Sequence, residues 1–180
     1  MANSLAATIA ISVAWKFTKP TDLSETTDAD KLALSQALAS GTGTNQVNQH
    51  FADERTVAAG ANDNIDLYGS LVNAFGETIN FTAVKAVVIQ NVGADDGSSG
   101  YSVQSGENLL IGGASAVGNA WATPFNANPD SKLTLVSGGS FALTAPASGF
   151  AVTAGTGDIL RVRNNGTKTI KYRIILEGVA

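Results

Sequence analysis

The stretch Ala83–Val92, AVKAVVIQNV, constrains the fold of this chain more than any other. Val84, Ala86, Val87, Val88 and Ile89 make it the most continuous β-branched, apolar run in the sequence, and Asn91 and Gly93 close it. A short run of this composition, ended by turn formers, reads as a strand buried on both faces. Such a strand needs neighbours on either side and layers above and below it. The rest of the sequence reads as strands and turns of that kind.

Composition agrees. The 180 residues suffice for one domain with a real core. Apolar residues make up 44% and charged residues 14%, which argues against a disordered chain, and 19 glycines without long helical periodicity favour many turns. The net charge of −4 disfavours nucleic acid as a partner, because phosphate binding needs a basic surface. The absence of cysteine removes disulfide scaffolds, thiolate metal sites and cysteine nucleophiles together. No apolar run reaches 18 residues, so no membrane helix is expected.

Near the N-terminus, Ile9, Ile11, Val13 and Trp15 alternate with Thr8, Ala10, Ser12 and Ala14. That period of two predicts a strand from Ala6 to Phe17, ending near Pro20, rather than a signal peptide. For Asp28–Ala39 a short helix is expected, capped by Thr27 or Asp28, with Leu34, Ala37 and Leu38 on one side and Gly41 as the stop. Lys31-Leu32-Ala33-Leu34-Ser35 within it also alternates. Residues 1–40 are therefore set apart as an N-terminal strand or arm segment, and residues 41–180 as the globular domain.

Past the GTGTN loop, Gln46–Val57 reads as a polar strand with Val47, Phe51 and Val57 as its apolar residues. Ile65–Leu67, Tyr101–Val103 and Leu109–Ile111 are further short strands. Lys132–Val136 and Ser140–Thr144 suggest a hairpin across Gly138-Gly139. Ile159–Arg163 and Thr167–Leu176 suggest another across Asn164-Asn165-Gly166, with Gly166 left-handed. That register puts Leu160, Val162, Ile170, Tyr172 and Ile174 on one face. Arg161, Arg163, Thr167, Thr169, Lys171 and Arg173 share the other. Some ten short strands with Gly-rich turns predict an all-β, single antiparallel sandwich, with a jelly roll as first choice and an immunoglobulin-like sandwich as second.

Candidate chemistry is sparse. His50 is the only histidine, no serine sits in a G-x-S-x-G elbow, and one histidine among carboxylates is a thin metal set. Asp95-Asp96-Gly97 and Asp63-Asn64 with Asp66 invite a calcium reading but lack the EF-hand spacing, and turn chemistry explains them. Trp15, Tyr68, Tyr101 and Trp121 suggest a sugar-stacking platform or, more simply, core aromatics. No catalytic residue, metal ligand or cofactor is assigned. Between Asp158 and Glu177 lie five basic residues and no acidic one, which reads as a solvated face or an electrostatic docking face. Arg161, Arg163, Lys171 and Arg173 are its candidate contact residues, with Trp15 on the arm.

Two stretches carry a family resemblance: GTGTNQVNQHFADERTVAAGANDNIDLYGSLVNAFGETINFTAVKAVVIQN, from Gly41 to Asn91, and FAVTAGTGDILRVRNNGTKTIKYRIILEG, from Phe150 to Gly178. Asp66-Leu67 before Phe75-Gly76 and the turn Thr153-Ala154-Gly155-Thr156-Gly157-Asp158 are their distinctive elements. They resemble virion structural proteins of tailed bacteriophages, in particular jelly-roll capsid cement or decoration proteins. The resemblance implies a non-enzymatic protein on the capsid surface, made in the host cytoplasm. It further implies a homo-trimer that bridges major capsid protein subunits, with no nucleic acid or membrane as partner. A receptor- or carbohydrate-binding tail or fibre component is the alternative.

Overall fold

The computed structural model describes residues 4–180. The first three residues of the 1–40 segment lie outside the described residues. Among the described residues the regular structure is almost wholly strand. β1 (Ala7–Pro20) and β2 (Glu25–Ser40) form one long antiparallel hairpin, and β3 (Gln46–Val47) runs parallel to the end of β2. Then come β4 (Gln49–Val57), β5 (Asn62–Asp66), β6 (Tyr68–Val72), β7 (Thr78–Asn80) and β8 (Ala83–Asp95). β9 (Tyr101–Ser102) and β10 (Leu109–Gly112) precede two 3₁₀ turns at Ser115–Val117 and Thr123–Phe125. The chain closes with β11 (Lys132–Leu135), β12 (Ser140–Thr144), β13 (Phe150–Ala151), β14 (Ile159–Asn164) and β15 (Ile170–Val179).

Two sheets make the body. One has the order β4-β15-β8-β12, with β9 and β13 added on β8; the other has the order β5-β14-β10-β11. Number the eight principal strands in chain order, and the sheets read 1-8-3-6 and 2-7-4-5. That is the strand order of a jelly roll, two Greek keys folded into facing sheets. Val84, Val87, Ile89, Tyr172, Ile174 and Leu176 of the first sheet close on Ile65, Leu109, Ile111, Leu160 and Val162 of the second. Trp121 seals one end, its Nε1 donating to the Ala151 carbonyl at 2.9 Å and its ring edge-on to Phe150. The AVKAVVIQNV segment is indeed central, lying between β15 and β12.

Four expectations are corrected. Asp28–Ala39 is not a helix but most of β2, paired with β1 from Ala7 opposite Leu38 to Pro20 opposite Glu25. The period-two pattern wins because it meets a partner with the same pattern: Leu34 faces Ile11 and Leu32 faces Val13. A helix would have left β1 unpaired.

The two expected hairpins are instead arches between the sheets. β11 pairs with β10 while β12 pairs with β8, and β14 pairs with β5 and β10 while β15 pairs with β4 and β8. The alternation is as expected, since Leu160, Val162, Ile170, Tyr172 and Ile174 are all buried. They meet across the core, not along one ladder.

Each arch is pinned by a buried asparagine. Asn164 Nδ2 donates to the Val57 carbonyl at 2.8 Å and to the Lys168 carbonyl at 2.7 Å, and its Oδ1 accepts from Gly166 N–H at 2.8 Å. Asn91 Nδ2 donates to the carbonyls of Leu135 and Glu107. Its backbone exchanges bonds with Gly138 and Gly139. Gly166 is not left-handed. It is glycine because a Cβ there would stand 2.0 Å from Oε2 of Glu107, the carboxylate that accepts from Thr167 N–H, Thr167 Oγ1 and Lys168 N–H.

Candidate interaction surfaces

The β1–β2 hairpin projects from the body as an arm. Every residue from Ala10 to Ser35 is exposed. At about 3.3 Å per residue its 14 paired positions extend roughly 45 Å. The tip is a four-residue loop closed by Thr21 N–H and Oγ1 donating to the Ser24 carbonyl, with Leu23 fully exposed at its end. Strict register sorts the arm into two faces. Ile9, Ile11, Val13, Trp15 and Phe17 share one with Leu32 and Leu34, while Ala10, Ser12, Ala14, Ala33, Ser35 and Ala37 share the other.

The root of the arm is part of the folded body. Leu38, Val47 and Ala86 form a small buried cluster on the outer side of β8, with Leu5, Ala7 and Ile9 packed against it. Ala39 N–H donates to the Asn45 carbonyl, Asn45 N–H to the Pro146 carbonyl, and the buried Lys85 ammonium to the Gly43 carbonyl. These bonds hold the arm's direction. Beyond Ile9 the same apolar face runs on uncovered, with Trp15 43% and Phe17 69% exposed.

The basic residues singled out from sequence do not form one face. Arg161 and Arg163 lie on the outside of the second sheet, Lys171 and Arg173 on the outside of the first. The second pair is neutralised locally. Lys171 Nζ and Arg173 Nε reach the two oxygens of Glu54 on β4 at 2.9 and 2.8 Å, and Lys171 also sits 4.5 Å over the Tyr101 ring. Hydrogen bonds from Lys171 and then Arg173 hold the Glu54 carboxyl below its ordinary range. Among the described residues, no carboxylate lies within ion-pair distance of Arg161 or Arg163. Trp15 stands apart from all four, on the arm.

His50 Nδ1 meets Glu177 Oε1 at 2.8 Å, and Oε2 of Glu177 is buried with no hydrogen-bond partner. Burial pushes the Glu177 carboxyl up, against the bond from His50. The pair lines a groove of about 500 Å³ between arm root and first sheet, with Leu5, Ile9, Ala86, Val88 and Ile175. The acidic candidates are occupied by local donors. Asp95 and Asp96 accept from Gly97 and Ser98 N–H, Asp66 from Tyr68 N–H and Ser70 Oγ, and Asp63 from Arg55 and Tyr172. No group of three or more metal-ligating side chains is found among the described residues. The four aromatics make no common platform: Trp121 is in the core, Tyr101 lies under Lys171, and Trp15 is on the arm.

Comparison with protein-family models, with curated proteins and with solved structures returns no match. The surface is therefore read from its own residues. The sequence reading points to Trp15 and not to Ile11, Val13, Phe17, Leu32 and Leu34 as one surface with it. The signal was present: two alternating segments of near-equal length, joined by Thr21-Asp22-Leu23-Ser24, a polar loop that suits a turn.

Proposed function

We propose that this protein is a non-enzymatic structural component of a bacteriophage virion. In this reading it is a capsid cement or decoration protein that forms homo-trimers on the outside of the shell and bridges neighbouring copies of the major capsid protein. The observation that carries the reading is the arm: a rigidly rooted, exposed ribbon with a continuous apolar face. An exposed apolar strip of this size marks an interaction surface. The jelly-roll body supports it by analogy of fold only, since that architecture serves viral capsid and lectin domains alike. The resemblance of Gly41–Asn91 and Phe150–Gly178 to phage cement proteins points the same way. Symmetry supplies the mechanism, because a weak contact repeated over a shell becomes a strong one.

The test is co-sedimentation of the purified chain with capsid shells that lack it. Binding that saturates at a fixed ratio to the major capsid protein, with a raised shell melting temperature, is the expected result. Absence of binding to shells ends the reading. The split of the basic residues sharpens the experiment. Arg161→Glu with Arg163→Glu should abolish docking, because these cations are free for an acidic partner. Lys171→Glu with Arg173→Glu should change docking little, because Glu54 already satisfies that pair.

A further inference from the structure

We propose that the apolar face of the β1–β2 arm is an interface between copies of this chain, with the arms packed side by side and pointing the same way. The proposal deepens the assembly reading by naming the arm's partner, and it rests on that reading only for the expectation of an oligomer.

Continuity is the first argument. Leu5, Ala7 and Ile9 begin this face and are packed on Leu38, Val47 and Ala86. Ile11, Val13, Trp15, Phe17, Leu32 and Leu34 continue it without interruption and without cover. A two-stranded hairpin alone in water is marginal at best, and needs a further layer on its apolar side. Six large side chains exposed by 43–69% offer several hundred Å². That is close to the ~800 Å² per partner of a standard stable interface.

The second argument is the match of shape. The cover has to be a narrow apolar strip as long as the arm. The large apolar residues exposed on the body form no strip of that length: Tyr68, Val72 and Phe75 lie on β6 and the turn after it, and Val103, Val117, Val136 and Ile175 stand on other strands and loops. The surface of this chain that matches the arm in length, width and chemistry is another arm.

Charge then fixes the direction. On the apolar face, β1 carries Lys19 toward the tip, while β2 carries Asp28 and Asp30 opposite Phe17 and Trp15. When arms run the same way around a common axis, the β1 edge of one lies beside the β2 edge of the next. Lys19 then comes within two residues of the neighbour's Asp28. Arms running in opposite directions would bring those charges against the neighbour's apolar root instead.

The native chain has no cysteine, so single cysteines report the contact cleanly. Val13→Cys lies on the apolar face and Ser12→Cys on the opposite one. Under mild oxidation the first should form a disulfide-linked dimer and the second should not. In light scattering, the native chain should run at a multiple of 18.3 kDa. Val13→Asp with Leu32→Asp should raise the concentration needed for association by on the order of a hundredfold, with an unchanged thermal transition of the body. Lys19→Glu should weaken association, and Asp28→Lys added to it should restore it.

A monomeric native chain, or equal cross-linking at positions 12 and 13, overturns the proposal. So does an oligomer indifferent to the paired aspartates; if that oligomer still binds shells, the assembly reading stands without this interface. Conversely, arms that cross-link in a chain that ignores shells leave the interface and end the cement reading.

Discussion

Arg55 on β4 grips Asp63 on β5 with a forked ion pair, Nε to Oδ2 at 2.7 Å and Nη2 to Oδ1 at 3.0 Å, and the two strands belong to opposite sheets. Tyr172 of β15 donates its hydroxyl to the same Oδ2 at 2.7 Å. One carboxylate thus ties together the rims of both sheets. Burial and the Asp63 bond push the Tyr172 phenol well above its ordinary range, so it stays a donor at every working pH.

Asp63→Ala should therefore be costly. It leaves the half-buried Arg55 guanidinium with only its longer contact to Asp53, at 3.5 Å, and a buried hydroxyl with no partner, a loss of about 2–4 kcal/mol. Chemical denaturation should show a lower midpoint with little change in slope. Asp63→Asn keeps an acceptor for Tyr172 and should cost less. Equal stability of the native chain and Asp63→Ala would mean that solvent replaces the lost contacts.

A second prediction concerns the arches. Asn164 and Asn91 each donate to two backbone carbonyls where the chain crosses from one sheet to the other, those of Val57 and Lys168 and those of Leu135 and Glu107. Asn164→Leu is similar in size but leaves the carbonyls of Val57 and Lys168 without these donors. A loss of about 2–4 kcal/mol is expected for either asparagine, read as a lowered melting temperature. Substituting Asn165, which is exposed and whose backbone N–H supplies its one bond here, should cost under ~0.5 kcal/mol.

The same arches explain what the sequence disclosed. Period-two alternation located most strands and predicted which side chains point inward, from Val47, Phe51 and Val57 to Leu160, Ile170 and Ile174. Alternation is local, and it is identical whether two successive strands pair or face each other across a core. Gly138-Gly139 and Asn164-Asn165-Gly166 therefore read as hairpin turns. The distinction lay in Asn91, Asn164 and Glu107, whose partners are up to 107 residues away. The arm was misread for a related reason. Ala- and Leu-rich Asp28–Ala39 favours a helix by composition, and only the facing β1 decides otherwise. The basic face dissolved because its two halves were assigned to one ladder.

Acid sensitivity gives a third prediction. Burial raises the Glu107 carboxyl, but the bonds from Thr167 and Lys168 outweigh it and hold the group below its ordinary value near 4.5. The unfolded chain then binds more protons in this range than the native one. Glu107 contributes stability that is present above pH 4.5 and is lost as the pH falls through the lowered native value. Glu107→Gln should be less stable than the native chain at pH 7 by about 1–3 kcal/mol, with the gap narrowing as pH falls below 4.5. A gap that stays constant with pH would assign the loss to packing of the arch rather than to the charge.

Glu177 should behave in the opposite sense. Its carboxyl is raised by burial beneath the arm root, with Oε2 unpaired, and His50 only partly offsets this. Between the ordinary value of 4.5 and the raised native value, the native state holds a proton that the unfolded chain has released. Stability therefore falls as the pH rises through that window, and the penalty is complete above it. Glu177→Gln removes the charge, and its amide oxygen still accepts from His50 Nδ1–H. At pH 8 the variant should melt higher than the native chain by roughly 2–4 °C, the shift that ~1 kcal/mol produces in a chain of this size. At pH 4, where the native carboxyl is protonated, the two should coincide. A variant that melts lower at pH 8 would show that the ionised Glu177–His50 pair braces the arm root, and that charge there stabilises the junction.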